Sequence, residues 1–155
     1  MDFKQDYFNV VTMWHVLEHF DNPHAVISKI KNILKPEGEL WIGLPNYDSL
    51  DRRLFGSYWN GYEIPLHLTF FTPKTLSALL KKCGFSCLKA HFLVRPNDIA
   101  KSGYLFLREN FTMKNEKLVQ KILSILFLPL SFLAAFLRKS SIIVIQARNS
   151  HLELG

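Results

Sequence analysis

Four residues of this chain have the types and spacing to carry acid–base or metal chemistry. His15, Glu18 and His19 stand three and four positions apart, so a helical turn would place them on one face. Imidazole has a pKa near neutrality and can accept a proton from a hydroxyl group. Imidazole and carboxylate groups can also bind a divalent metal ion. We take His15, His19 and His67 as candidate catalytic residues.

A structural interpretation stands beside the chemical one for each residue. Glu18 and His19 are suited to cap and orient the loop that precedes Asp21. Because side chains in that role are not metal ligands, we predict no bound metal. His67 lies in an apolar, aromatic stretch and fits a hydrogen-bonded structural histidine. Alternatively it is a pocket residue, with aromatic walls formed by Tyr58, Trp59 and Phe70.

The elements that position these residues alternate along the first part of the chain. Tyr7–Trp14 is β-branched and aromatic, which indicates a buried strand. Asn22 and Pro23 begin a helix that runs to about Leu34, and Glu39–Leu44 reads as a second buried strand. This order predicts a right-handed βαβ unit with two parallel strands. His15 then follows the carboxyl end of the first strand.

The second half is less regular. We expect Asn46–Leu66 to be a long loop and Pro73–Lys82 to be a helix that stops at Gly84. The remaining expectations are a strand at Phe85–Val94, an ambiguous stretch with helix near Gly103–Arg108, an apolar helical stretch at Asn115–Leu137, and a last strand at Ser141–Arg148.

Three motifs, in order and at natural spacing, carry a family resemblance. Val10–His19 (VVTMWHVLEH) resembles the segment after the fourth strand of class I S-adenosylmethionine (SAM) dependent methyltransferases. Ile33–Leu40 (ILKPEGEL) resembles the turn into their fifth strand. Pro65–Pro73 (PLHLTFFTP) resembles the segment that leads into their last large helix. The resemblance extends from Phe3 to about Phe92.

The resemblance implies an α/β fold. Its sheet would be a partial Rossmann-like methyltransferase sheet, strands four to seven of the family, with flanking helices and an apolar helical insertion before the last strand. We expect residues 1–149 to form one partial domain and residues 150–155 a tail. Within that domain, residues 47–71 would be a substrate-side loop and residues 112–139 the apolar insertion.

Ligands of such sheets lie at the carboxyl ends of the parallel strands. The resemblance therefore implies that Met13, Trp14 and His15 contact the methionine part of SAM. The acceptor would face the next strand end and the loop, with Leu44, Pro45, Asn46, Tyr58, Trp59 and Phe70 as substrate-side residues. Some quinone-type O-methyltransferases hold a divalent ion with Glu, Glu and His at positions that correspond to His15, Glu18 and His19. Because His15 replaces the first Glu, we predict no metal here.

The Gly-rich turn that meets the cofactor in this family has no counterpart in the sequence. None of the seven glycines forms GxG or GxGxxG. We therefore expect an incomplete SAM site and a chain that is inactive in isolation. The function that the resemblance implies is SAM-dependent methyl transfer to a small-molecule, saccharide or lipid-linked acceptor. The alternative is a non-catalytic remnant that serves as an interaction or membrane-docking module.

Composition adds partners and location. The 155 residues carry a formal charge of +6, yet no strand pair interleaves basic and aromatic residues, so we predict no nucleic-acid partner. Cys83 and Cys87 lack metal or redox spacing and indicate a cytoplasmic, reduced protein. Met1–Asn9 carries charges and no apolar core, so we expect no signal peptide.

The apolar segment near the C-terminus suggests two more contacts. Ile122–Leu137 holds sixteen uncharged residues with basic residues on both sides, fewer than the ~20 of a spanning helix. It fits a buried helix pair or an in-plane membrane helix, which would give peripheral membrane contact through residues 114–139. We also expect a homodimer, joined through the edge of Tyr7–Trp14 or through these helices.

Overall fold

A computed structural model describes residues 3–112 and 115–150. These residues separate into two compact units. The first unit contains residues 3–44, 66–91 and 144–150, and the second contains residues 45–65, 92–112 and 115–143. Lys114 lies outside the described residues. So does the predicted tail at 150–155, except for Ser150.

The sheet belongs mostly to the first unit. Its four strands are β1 (Phe8–Trp14), β2 (Leu34–Pro45), β3 (Phe85–Phe92) and β4 (Ile142–Asn149), in the order β1-β2-β4-β3. β1 runs parallel to β2 and lies at the edge of the described sheet. The predicted α/β fold with a partial Rossmann-like sheet is confirmed.

Helices fill the connections. They are α1 (Pro23–Ile33), α2 (Leu50–Phe55), α3 (Pro73–Lys82), α4 (Pro96–Asn110), α5 (Glu116–Leu126) and α6 (Leu128–Phe136). Short 3-10 turns cover Leu17–His19, Gly56–Tyr58 and Asn60–Tyr62.

Helix starts in the first unit follow from capping side chains. The Asn22 side chain accepts a hydrogen bond from the Ala25 N–H at 3.0 Å, and Pro23 supplies a fixed φ at the first turn. Thr72 and Thr75 form a reciprocal capping box at the start of α3. The bounds predicted for α3 are confirmed, and Gly84 follows it with a φ of +77°.

The second unit corrects several predictions. The segment 46–66 contains α2 and two 3-10 turns rather than continuous loop. α4 is fifteen residues long, well beyond the helix predicted near Gly103–Arg108. The predicted helical stretch 115–137 is two helices that meet at Phe127 with a bend of 53°. Pro129 explains the break, because its ring has no N–H and fits only a first helical turn.

Each unit buries its own set of apolar side chains. In the first unit they include Leu17, Ile27, Leu40, Ile42, Leu76 and Leu80. In the second unit they include Trp59, Ile99, Tyr104 and Ala134.

Candidate active site

The carboxyl end of β1 has an unusual backbone. Met13 and Trp14 pair with Ile42 and Gly43 of β2, and the His15 N–H donates to the Gly43 carbonyl at 2.9 Å. His15 then turns into the left-handed region with a φ of +52°. A non-glycine residue held there is strained, and such residues cluster at functional sites.

Gly43 makes room for the Trp14 indole. A Cβ at position 43 would lie 2.2 Å from Trp14 Cε3, so no other residue type fits without moving the ring. The indole is half exposed, whereas Met13 beside it is buried. The predicted cofactor residues Met13, Trp14 and His15 therefore present one open aromatic surface at the end of a parallel strand.

The 3-10 turn after β1 is tied to a distant segment of the same unit. The Glu18 carbonyl accepts hydrogen bonds from the N–H groups of Leu68 at 2.8 Å and Thr69 at 3.1 Å. His19 Nδ1 is 2.9 Å from the Leu66 carbonyl oxygen. These contacts bring His67, which is remote in sequence, next to the turn.

The three candidate catalytic histidines lie around one carboxylate. Glu18 is buried, with one carboxylate oxygen 3.5 Å from His15 Nδ1 and 4.0 Å from His67 Nε2. The rings of His19 and His67 are 4.8 Å apart, centroid to centroid. Neither carboxylate oxygen of Glu18 has a hydrogen-bond partner within residues 3–112 and 115–150. Glu18 thus lies at the centre of the cluster rather than in the capping role predicted for it.

The predicted substrate-side residues are divided between the units. Leu44 and Phe70 belong to the first unit, where Leu44 is buried. Asn46 belongs to the second, is fully buried, and uses its side chain within the fold. Its Nδ2 donates to the Ser140 carbonyl at 3.0 Å and its Oδ1 accepts from the Asp48 N–H at 3.0 Å. A substrate contact of Leu44, Pro45 or Asn46 stays a prediction.

Trp59 is the centre of an aromatic cluster in the second unit. Its Nε1 donates to Asp51 Oδ2 at 3.0 Å, and its ring meets those of Tyr47 and Tyr62 edge to face. Burial raises the pKa of the Asp51 carboxyl, although hydrogen bonds from Ser49 and other partners act in the opposite direction. Sequence reasoning missed Asp51, because its partner Trp59 is reached only through the 3-10 turn Gly56–Tyr58.

This chain matches one family model and parts of two curated proteins. The model of a family described as "Methyltransferase domain" matches residues 1–90. An uncharacterised protein of Methanocaldococcus jannaschii is 28% identical over 90 residues, which is 58% of this chain and 44% of that protein. A ubiquinone biosynthesis O-methyltransferase of Glaesserella parasuis is 46% identical over 39 residues. These residues are 25% of this chain and 16% of the methyltransferase.

Solved structures share the fold. A SAM-dependent methyltransferase of Thermotoga maritima, described as a possible histamine N-methyltransferase, superposes with a TM-score of 0.60 at 15% identity. The superposition covers 97% of this chain and 60% of that one. This chain therefore spans less than half of the curated relatives that it matches and about three fifths of this structural neighbour.

Proposed function

The chain belongs to the methyltransferase domain family, and we propose that it takes part in SAM-dependent methyl transfer. The observation that carries the proposal is the arrangement of residues at the end of β1, which lies within the part of the chain that the family model matches. There the Trp14 ring lies over Gly43 and the strained His15 redirects the chain. SAM, when bound, supplies an activated methyl group on a sulfonium centre, so the protein contributes mainly alignment.

The residues at this edge fit a cationic donor. An exposed indole face attracts a positive charge within van der Waals reach, and Trp14 is half exposed. Met13, the preceding residue of β1, is buried. We propose Met13, Trp14 and His15 as the residues that contact the methionine part of SAM.

His15 is the best placed proton acceptor for an acceptor hydroxyl. Its side chain is 46% exposed and its Nδ1 faces the Glu18 carboxylate at 3.5 Å. A carboxylate beside one ring nitrogen orients the imidazole and stabilises its protonated form. The acceptor class that we propose is a small molecule, a saccharide or a lipid-linked compound.

Calorimetric titration of the tag-free chain with SAM and with S-adenosylhomocysteine tests the cofactor proposal. Trp14→Ala should weaken binding of SAM, whose sulfonium is cationic, by about tenfold. It should weaken binding of S-adenosylhomocysteine, which has no sulfonium charge, by less. Val10→Ala, at an equally exposed position of the same strand, should leave both affinities unchanged. Because the SAM site of this chain is expected to be incomplete, both affinities should be low, and equal losses in the two variants would count against the proposal.

A second candidate function is docking on a membrane, favoured by an exposed apolar surface on α5 and α6. On α5 the exposed apolar residues recur at helical spacing, at Leu118, Ile122, Ile125 and Leu126. On α6 they are Leu128, Phe132, Leu133 and Phe136, while Ser131 and Ala134 on the other side are buried. We call these eight exposed residues the apolar surface.

The bend between the helices bears on how a membrane would be met. Within the described residues, neither helix alone has the length and hydropathy to cross a bilayer, although the bent pair together passes that test. Two short helices that each expose an apolar stripe are suited to lie in the plane of the headgroups.

Charge favours an anionic bilayer as the occupant. Lys117, Lys121 and Arg138 are exposed at the margins of the apolar surface, and Glu116 is the one acidic residue in the segment 116–139. Each basic residue near an anionic headgroup adds about 1 kcal/mol. We propose that the chain docks on anionic lipid from the cytoplasmic side.

Co-sedimentation with vesicles tests the docking proposal. The double variant Phe132→Ser/Phe136→Ser should bind vesicles of phosphatidylcholine with phosphatidylglycerol at least about tenfold more weakly than the parent, because two aromatic side chains no longer leave water. Leu54→Ser is the matched control: it is also exposed, on α2, and should bind as the parent does. Lys117→Glu/Lys121→Glu should weaken binding to these vesicles but not to phosphatidylcholine alone.

Two results would overturn the docking proposal. One is equal vesicle binding by the parent and by the Phe132/Phe136 variant. The other is a dimer in sedimentation velocity without lipid that this variant converts to a monomer. In that case a second copy of the chain would cover the apolar surface, which is one of the two ways in which the predicted homodimer would be joined.

A further inference from the structure

The Glu18 carboxylate is buried without adequate compensation from the polypeptide. The residue is 2% exposed, and within the described part of the chain neither oxygen accepts a hydrogen bond. A buried carboxylate costs several kcal/mol unless a cation or hydrogen-bond donors compensate it. The nearest charged partners are imidazoles at 3.5 and 4.0 Å, which carry charge only when protonated.

Two imidazoles lie close enough to this carboxylate for the three groups to bind the same ion. One potential ligand atom from each of Glu18, His19 and His67 lies within 4.8 Å of the other two. Ligand atoms around a single ion are separated by about 3–3.5 Å when each is about 2 Å from the metal, so the limit of 4.8 Å here is wider than in an occupied site. A small closure of the three side chains would complete the contact.

The cluster is also oriented by the groups behind it. A carbonyl oxygen only accepts, so the 2.9 Å contact with Leu66 assigns the proton of His19 to Nδ1 and leaves the lone pair on Nε2. A carbonyl behind a ligating histidine is the usual arrangement at metal centres. His67 is held by its neighbours Leu68 and Thr69, whose N–H groups donate to the Glu18 carbonyl.

We propose that Glu18, His19 and His67 bind a divalent transition metal ion of the zinc type. Two imidazoles and one carboxylate favour such an ion over Mg²⁺ or Ca²⁺, which prefer oxygen ligands. Three protein ligands leave a coordination position for water or another oxygen. The proposal replaces the sequence-based expectation of no metal, and it does not depend on methyl transfer.

The competing explanation is a proton rather than a metal. A protonated His15 or His67 would also neutralise Glu18, and it would do so in the absence of any ion. The two explanations differ in what chelation does to the protein and in whether His19, which is exposed, matters at all.

Calorimetry and cobalt absorption on tag-free, chelator-treated protein test the proposal. The parent should bind one Zn²⁺ and should bind no Mg²⁺. His19→Ala, which alters an exposed side chain and should fold normally, should lower Zn²⁺ affinity at least about tenfold, as should Glu18→Gln. His24→Ala removes another exposed histidine of the same unit and should have no effect. Co²⁺ should give a visible ligand-field band in the parent and in His24→Ala only.

Thermal unfolding gives a second readout. Zn²⁺ should raise the Tm of the parent and of His24→Ala but not that of Glu18→Gln. In chelator, Glu18→Gln should be at least as stable as the parent, because it lacks the buried charge. Absence of Zn²⁺ binding by the parent, or equal affinity in His19→Ala and the parent, would overturn the proposal in favour of the protonated histidine.

Discussion

Replacing Trp59 by alanine should lower the free energy of unfolding by about 3–5 kcal/mol, the usual range for a buried large aromatic residue. Trp59 is 2% exposed, and it joins Asp51 and two tyrosines in one cluster of the second unit. Its loss leaves a cavity and a buried carboxylate oxygen without its donor. Urea unfolding followed by circular dichroism measures the change.

Two companion variants define the cause. Trp14→Ala makes the same substitution at a half-exposed tryptophan and should cost much less. Trp59→Phe keeps an aromatic ring but loses the 3.0 Å hydrogen bond to Asp51, and should cost about 1–3 kcal/mol. If Trp59→Ala costs no more than Trp14→Ala, the second unit is not built around this cluster.

The Trp59→Phe variant should also depend on pH. Burial raises the pKa of Asp51 in the folded state above its pKa in the unfolded state. The folded protein therefore loses stability as the pH rises from the unfolded-state pKa of Asp51 towards its folded-state pKa. The Trp59 hydrogen bond acts against that rise, and its removal should raise the pKa further. The deficit of Trp59→Phe relative to the parent should therefore be larger at pH 7 than at pH 4.

Asn46→Ala should give the second largest loss of stability. The residue is fully buried, and alanine would leave the Ser140 carbonyl and the Asp48 N–H without their partner. Each buried group left in this way costs about 1–3 kcal/mol. Asn110→Ala, at an exposed asparagine of the same unit, is the control and should be nearly neutral.

The outcome also decides what Asn46 does. A large loss with normal ligand binding at low temperature means that Asn46 fixes the end of β2. An Asn46→Ala protein as stable as the parent would show that its hydrogen bonds contribute little, and would return Asn46 to the set of substrate contacts implied by the family resemblance.

Local signals in the sequence predicted the helix starts of the first unit, whereas β2 begins at Leu34 and not at the predicted Glu39, and in the strand predicted to be buried, β1, only Met13 is buried. Asn22-Pro23 and Thr72-Pro73 are capping pairs whose chemistry fixes a helix start without help from the rest of the chain. β1 and β2 are apolar strands joined by one helix, which leaves a parallel pair as the expected arrangement. These features also carry the family motifs, so fold and resemblance were predicted from the same residues.

Contacts between distant segments were not predictable in the same way. His67 lies 49 positions after Glu18 and reaches it only because Leu68 and Thr69 bond to the Glu18 carbonyl. In the second unit, α2 has six residues, too few for a periodic apolar pattern to be recognised. The burial of Asn46 likewise depends on Ser140 and Asp48, and Ser140 is reached only through the tertiary fold.

We propose above all that the end of β1 contacts the cofactor. Chemical-shift mapping tests it most directly, with S-adenosylhomocysteine added to protein that carries labelled methionine methyl groups and tryptophan indoles. We expect the Met13 methyl and Trp14 indole signals to move together, while the indoles of Trp41 and Trp59 stay in place. Movement of Trp41 or Trp59 without Met13 and Trp14, or no movement at the highest soluble ligand concentration, would contradict the assignment.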